Sequence, residues 1–87
     1  MNRAEKIVDV LTRNYPTMKK SIRWNNSDWN GNNCYVISFK ISYLTNHSVA
    51  GILKYCKISV DDLFEYQIMP SSNRYFEVLW FVKSEGS

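Results

Sequence analysis

Leu63-Phe64-Glu65-Tyr66-Gln67-Ile68-Met69, Pro70-Ser71-Ser72-Asn73-Arg74 and Tyr75-Phe76-Glu77-Val78-Leu79-Trp80-Phe81-Val82 decide the fold. Two aromatic runs with a period of two flank a segment of turn residues, which predicts two antiparallel strands around a turn. In the first run Phe64, Tyr66 and Ile68 alternate with Glu65, Gln67 and Met69. The second run is apolar on both sides except at Glu77, the pattern of a strand central in its sheet. Its Tyr75, Leu79 and Phe81 side must then be either covered or presented as a binding patch. Ser59-Val60-Asp61-Asp62 offers an alternative start, a capped short helix reaching Phe64.

Working outward, Tyr35 to Tyr43 alternates cleanly. Tyr35, Ile37, Phe39, Ile41 and Tyr43 face one way, while Val36, Ser38, Lys40 and Ser42 face the other. Lys20-Ser21-Ile22-Arg23-Trp24 reads as a short edge strand, its charges guarding against unwanted pairing. Asn25 to Asn33 reads as a turn-rich loop, because Asn and Gly tolerate left-handed backbone angles. Asn2 to Asn14 is expected to be helical. Ala4, Ile7, Val8 and Leu11 form its apolar stripe, Asn2 and Glu5 make a capping box, and Tyr15-Pro16 ends it. A second helix, His47 to Cys56, is capped by Thr45 or Asn46 and carries the stripe Val49, Ile52, Leu53 and Cys56. The expected architecture is therefore α+β in the order α-β-β-α-β-β, a four-stranded antiparallel sheet with two helices packed on one face. Residues 1–83 form a single domain and residues 84–87 a short flexible tail.

With 87 residues the chain builds one modest core and has little room for a deep cleft. Aromatics make up 15% of it, a high share that suits binding surfaces. Eleven basic against eight acidic residues give a net charge of +3, which admits an anionic partner without demanding one. Two cysteines make no disulfide framework. No leader segment opens the chain and no apolar run approaches membrane-spanning length, so a cytoplasmic protein with reduced thiols and no membrane contact is expected.

Candidates for chemistry are few. His47, the one histidine, lies beside Ser48 at a helix start, and adjacent helical residues point too far apart for a nucleophile–base pair. Cys34, His47 and Cys56 lack metal-ligand spacing. Asp28-Trp29-Asn30-Gly31-Asn32 fails the calcium-loop pattern, with Gly31 fourth and Phe39 twelfth. The glycines are isolated, so no phosphate cradle forms, and Asp61 and Asp62 on a strand would face opposite ways. No metal, cofactor or small-molecule substrate is expected. A ribonuclease using His47 is the remaining enzymatic alternative.

The chain resembles two known families in part. His47 to Phe64 is similar to the closing helix of HicA-type mRNA interferases, but the Gly-Ser-His strand carrying their catalytic histidine has no counterpart here. The order of elements resembles the core of LAGLIDADG endonucleases, but the acidic helix end is replaced by Thr12-Arg13-Asn14-Tyr15. Neither activity carries over.

The residue pattern points to recognition by a surface. The first reading is a small non-enzymatic protein-binding module, by analogy with compact inhibitors of phages and mobile elements, that covers part of a protein or nucleoprotein partner. Trp24, Trp29, Tyr43, Tyr66, Tyr75 and Phe81 are its candidate contacts, since large aromatics dominate interface hot spots. The alternative is direct binding of RNA or single-stranded DNA by a basic and aromatic edge. Arg13, Lys19, Lys20 and Arg23 would meet phosphates or an acidic surface, while Trp24 and Trp29 stack on bases. An edge strand is also compatible with a dimer built by sheet extension.

Overall fold

The computed structural model describes residues 1–42, 49–72 and 74–85. Helix α1 (Arg3–Asn14) begins at the expected capping box: Asn2 Oδ1 accepts from the Glu5 N–H at 2.8 Å, and Glu5 Oε1 accepts from the Asn2 N–H at 3.1 Å. Those bonds satisfy amides that the first helical turn would leave bare. Ala4, Ile7 and Leu11 are buried and Val8 is half-buried, so the apolar stripe faces the core as read.

Strands β1 (Arg23–Trp29), β2 (Asn32–Ser42), β3 (Leu63–Ser72) and β4 (Tyr75–Lys83) form one antiparallel sheet in the order β1-β2-β4-β3. β4 is central and β1 lies at an edge, as the two-sided apolar pattern of one and the charge of the other imply. Helix α2 (Val49–Tyr55) packs Ile52 and Leu53, with Cys56 just beyond its end, into the same core as α1. Both helices cover the sheet face that carries Tyr35, Ile37, Phe39, Ile41, Val78, Trp80 and Val82. Trp80 is wholly buried there, edge-on to Phe39 with ring centroids 4.9 Å apart. The chain is thus an α+β fold in the order α-β-β-α-β-β, with four antiparallel strands and two helices on one face.

Lys57 closes α2 in the left-handed region, at φ 58°. It lets the Ile58 N–H reach the Leu53 carbonyl at 2.8 Å and the Lys57 N–H reach Lys54 at 3.1 Å. The expected caps Thr45 and Asn46, the histidine His47 and the side chain of Val49 lie outside the described residues.

Four expectations are corrected. Lys20 and Ser21 are not in a strand but in a short 3-10 helix, Pro16–Ser21. Pro16 presets its first turn, Met18 inserts into the core, and Ser21 Oγ donates to the Met18 carbonyl at 2.9 Å while accepting from the Lys40 N–H at 3.1 Å. Asn25 to Asn33 is not a loop. β1 runs to Trp29 and pairs with β2 from Arg23↔Ser38 to Trp29↔Asn32. Only Asn30 and Gly31 turn, with φ 49° and 86°, the twist that suits a two-residue hairpin. Asp28 Oδ2 holds the turn by accepting from the Gly31 N–H at 3.1 Å. Pro70 to Ser72 belong to β3 rather than to a turn, with Pro70 opposite Phe76. The strict alternation read from Phe64 to Met69 is broken at its start by a bulge between Leu63 and Glu65. Ahead of it a 3-10 turn, Val60–Asp62, is capped by Ser59 and stops short of Phe64.

At the other end, the Ser84 hydroxyl donates to the Asn33 carbonyl at 3.2 Å. Glu85 accepts from the Arg3 N–H at the start of α1 and, at 2.5 Å, from the Tyr35 hydroxyl.

Candidate functional site

Directly opposed residues of antiparallel strands share a face. The registers therefore place Trp29, Cys34, Val36, Leu79 and Phe81 together on the sheet face away from the helices. Among the described residues no helix packs on that face. Its apolar centre is nonetheless partly closed. Trp29 and Phe81 rise from strands on either side of β2, whose backbones lie about 9–10 Å apart. Their ring centroids are only 4.8 Å apart, at an interplanar angle of 41°. Trp29 stands opposite Asn32 and Phe81 opposite Val36, so the rings converge on the row between, which is Cys34. Cys34 is 2% exposed although no helix covers it. The register leaves the aromatic pair, together with Lys83 directly opposite Cys34, to account for that burial.

Burial pushes the Cys34 thiol above its ordinary value, the nearby Asp28 carboxylate adds to the rise, and a hydrogen bond with Ser27 opposes it. Cys34 is therefore a neutral, packed side chain and not an activated nucleophile. Burial likewise raises Cys56.

Around this centre lies a polar rim. Arg23, Ser38 and Lys40 stand on one side, with Glu77 directly opposite Lys40 across the β2–β4 pair. Lys83 stands on the other side, its Nζ 5.6 Å from the centroid of the Phe64 ring. On β3, Glu65 and Gln67 face the same way, and Gln67 Nε2 donates to Glu65 Oε2 at 3.3 Å. Tyr75 is 47% exposed at the end of the same face.

Of the six residues expected to contact a partner, Trp29, Tyr75 and Phe81 thus share one face. Trp24 points to the other, edge-on to Tyr35 at 5.7 Å, half-buried against the core. Tyr66 is also on the helix-bearing side, beside Trp80 in register, yet 46% exposed. Tyr43 lies outside the described residues. Trp24 and Trp29 stand five positions apart on one strand, so they cannot stack on a common ligand surface.

The basic residues separate as well. Arg13 pairs with Asp9 at 3.0 Å on α1. Lys19 is exposed on the 3-10 helix. Lys20 and Arg23 meet Lys40 in a groove of about 380 Å³, completed by Ser21, Ser38 and Glu77. Lys40, Phe64 and Lys83 were not singled out from the sequence. The alternation of β2 puts Lys40 on its polar side, but only the fold brings it to Lys20 and Arg23. Phe64 could not be assigned because the bulge breaks its period. Among the described residues, no group of three His, Cys, Asp or Glu side chains is arranged to hold a metal ion, and no helix is long and apolar enough to cross a membrane.

The fold and site define an α+β sheet protein with one covered face and one aromatic, polar-rimmed open face. Comparison with family models, characterised proteins and solved structures gives no match for this chain.

Proposed function

We propose that the chain is a small non-enzymatic binding module that covers part of a protein partner with the open face of its sheet. The observation that carries this reading is the packed Trp29–Phe81 pair, with half-exposed Val36 and Leu79 beside it, on a face that no helix of the described residues covers. An apolar centre within a polar rim is the anatomy of a recognition surface. Rings already fixed by packing also lose little freedom on binding. Such a module acts by occlusion, as a compact inhibitor does, and needs no reacting group of its own.

The test is affinity capture with wild-type protein and two variants, with circular dichroism confirming the fold. Leu79→Lys places a charge in the centre of the face, whereas Tyr66→Lys does so on the opposite side. Loss of a hot spot costs about 2 kcal/mol or more, roughly a thirtyfold loss of affinity, so Leu79→Lys should release a partner that Tyr66→Lys retains. A partner held equally by both variants would rule out the open face.

A second reading rests on the groove shared by Lys20, Arg23 and Lys40: single-stranded nucleic acid with phosphates in the groove and bases toward Trp29 or Tyr75. Trp24 has no part in it. Its signature is tryptophan quenching by short RNA or DNA that weakens steeply between about 50 and 200 mM salt, and weakens again in Lys40→Ala. Quenching indifferent to salt removes it.

A further inference from the structure

We propose that β3 pairs with the β3 of a second copy of this chain, antiparallel about Gln67, joining two four-stranded sheets into one. This goes beyond the open-face reading and does not depend on it. The two sheet edges differ in kind. β1 exposes Arg23, Asn25, Asn26, Ser27 and Asp28, a polar row of the sort that blocks edge pairing. β3 is ten residues long with Glu65 as its one charge, and it exposes Tyr66 at 46%, Ile68 at 48% and Met69 at 39%. Tyr66 and Ile68 lie on the helix-bearing face, beyond the cover the helices provide.

The geometry of the strand selects the occupant. Its register shifts between Leu63 and Glu65 and again between Pro70 and Ser72. Pro70 has no N–H to offer, so the regular run free of proline and of register shifts is Glu65 to Met69, and Gln67 is its centre. A two-fold axis there sets Tyr66 against the partner's Ile68, Ile68 against the partner's Tyr66, and Glu65 against the partner's Met69. Aromatic and β-branched side chains in direct opposition make favourable cross-strand pairs. An axis at Glu65 would instead oppose two carboxylates, and an axis at Ile68 would bring Pro70 into the ladder.

The backbone agrees with this register. Proline is tolerated within a sheet where its nitrogen faces away from the neighbouring strand. With Pro70 turned outward from β4, the alternate residues Ile68 and Tyr66 turn their N–H and C=O groups outward too. These are the residues the axis brings together, each pair exchanging two N–H···O=C bonds. Both helix layers then lie on one side of the joined sheet, and both open faces lie uncovered on the other. A single ladder with two pairs of covered side chains is a small interface, so the dimer forms at micromolar concentration or weaker.

The experiment is sedimentation velocity on the full chain from micromolar to millimolar concentration, for wild type, Ile68→Lys and Leu79→Lys. Amide hydrogen exchange across the same range supplies a second readout. Ile68 is half-exposed, so its replacement leaves the fold intact. The expected result is reversible dimerisation of wild type and Leu79→Lys, abolished in Ile68→Lys. Protection of the Tyr66 and Ile68 amides should rise with concentration in wild type. A wild-type chain that stays monomeric to millimolar concentration overturns the proposal. So does a dimer that survives Ile68→Lys, or one lost in a Leu79→Lys chain that circular dichroism shows to be folded, because either outcome places the contact elsewhere. Leu79→Lys dimerising normally while losing a captured protein would show the two surfaces to be separate.

Discussion

Replacing Trp29 with alanine tests the central geometric claim, that one indole roofs Cys34. In the native chain the thiol is 2% exposed, and the ring that closes over it meets Phe81 at 4.8 Å. Trp29→Ala removes the half-buried ring and its contact with Phe81. Truncating a Trp inside a closed core costs roughly 3–5 kcal/mol, but here solvent fills the space, so a loss of about 2 kcal/mol is expected. A double-mutant cycle with Phe81→Ala should return a coupling of about 1 kcal/mol, the size of an aromatic pair beyond its buried area. The sharper assay is thiol reactivity with Ellman's reagent in a Cys56→Ser background, which leaves Cys34 as the one thiol. Two effects then act in the same direction. The sulfur becomes reachable, and water at the site brings its raised pKa back toward the ordinary thiol value, which increases the thiolate fraction. The rate should rise about tenfold or more while circular dichroism still reports a folded chain. A folded Trp29→Ala protein whose thiol reacts no faster than the parent would show that the indole is not the cover.

Two left-handed residues predict opposite responses to substitution. Gly31→Ala meets no atom within 4 Å but must hold φ 86°, so it should cost about 1 kcal/mol in urea unfolding; Lys57→Gly, at φ 58°, should gain roughly 0.5–1 kcal/mol. Equal responses at the two sites would contradict the backbone assignment. Stability should also fall at both ends of the pH range. Cys34, Cys56, Tyr15 and Tyr35 are raised in the folded chain, the first three chiefly by burial and Tyr35 chiefly by its hydrogen bond to Glu85. Their contribution is full below the unfolded values and is lost as pH rises through the folded ones, starting from the thiols near about pH 8.5. Glu85 is lowered, first by the Tyr35 hydroxyl, so its contribution holds above about pH 4.3 and is lost as pH falls through the folded value. Melting temperature against pH checks both limbs, and Glu85→Gln should flatten the acid limb while also removing the main cause of the Tyr35 rise from the alkaline limb.

The order of elements was legible because β4 and α1 carry strong local signals. Val78, Trp80 and Val82 alternate with Leu79 and Phe81, which only a central strand accommodates, and Asn2 with Glu5 marks the helix start directly. β1 was not legible as a strand. Asn25, Asn26, Ser27 and Asp28 have little intrinsic strand preference, and it is pairing with Cys34, Tyr35 and Val36 that draws them into the sheet. The clue was present in Asn30-Gly31, a hairpin dipeptide that the surrounding asparagines made look like part of a longer loop. Once Arg23 to Trp29 is a strand, Trp24 and Trp29 must face opposite sides, and the stacking pair imagined for a nucleic acid is divided by the sheet. Tyr75 and Phe81 do share a face, because they stand an even number of positions apart on β4.

The open face follows from a mismatch between the pattern of β4 and the number of layers the chain can build. A strand apolar on both sides needs cover on both sides, and the helical layer goes to the face with Val78, Trp80 and Val82. For the face with Leu79 and Phe81 the described chain supplies one indole, carried there by extending β1 to Trp29. With that indole against Phe81, Cys34 is 2% exposed, while Val36 and Leu79 stay half-exposed. If core filling alone had shaped this face, residues 36 and 79 could be polar without loss, as Ser38 already is on the same side of β2. On the binding reading proposed above their apolar character serves a partner surface, on the alternative it serves packing beside Trp29 and Phe81, and Leu79→Lys separates the two. A variant that folds with unchanged stability yet loses its partner assigns Leu79 to recognition. A variant that unfolds assigns it to the core and removes the best support for the open face.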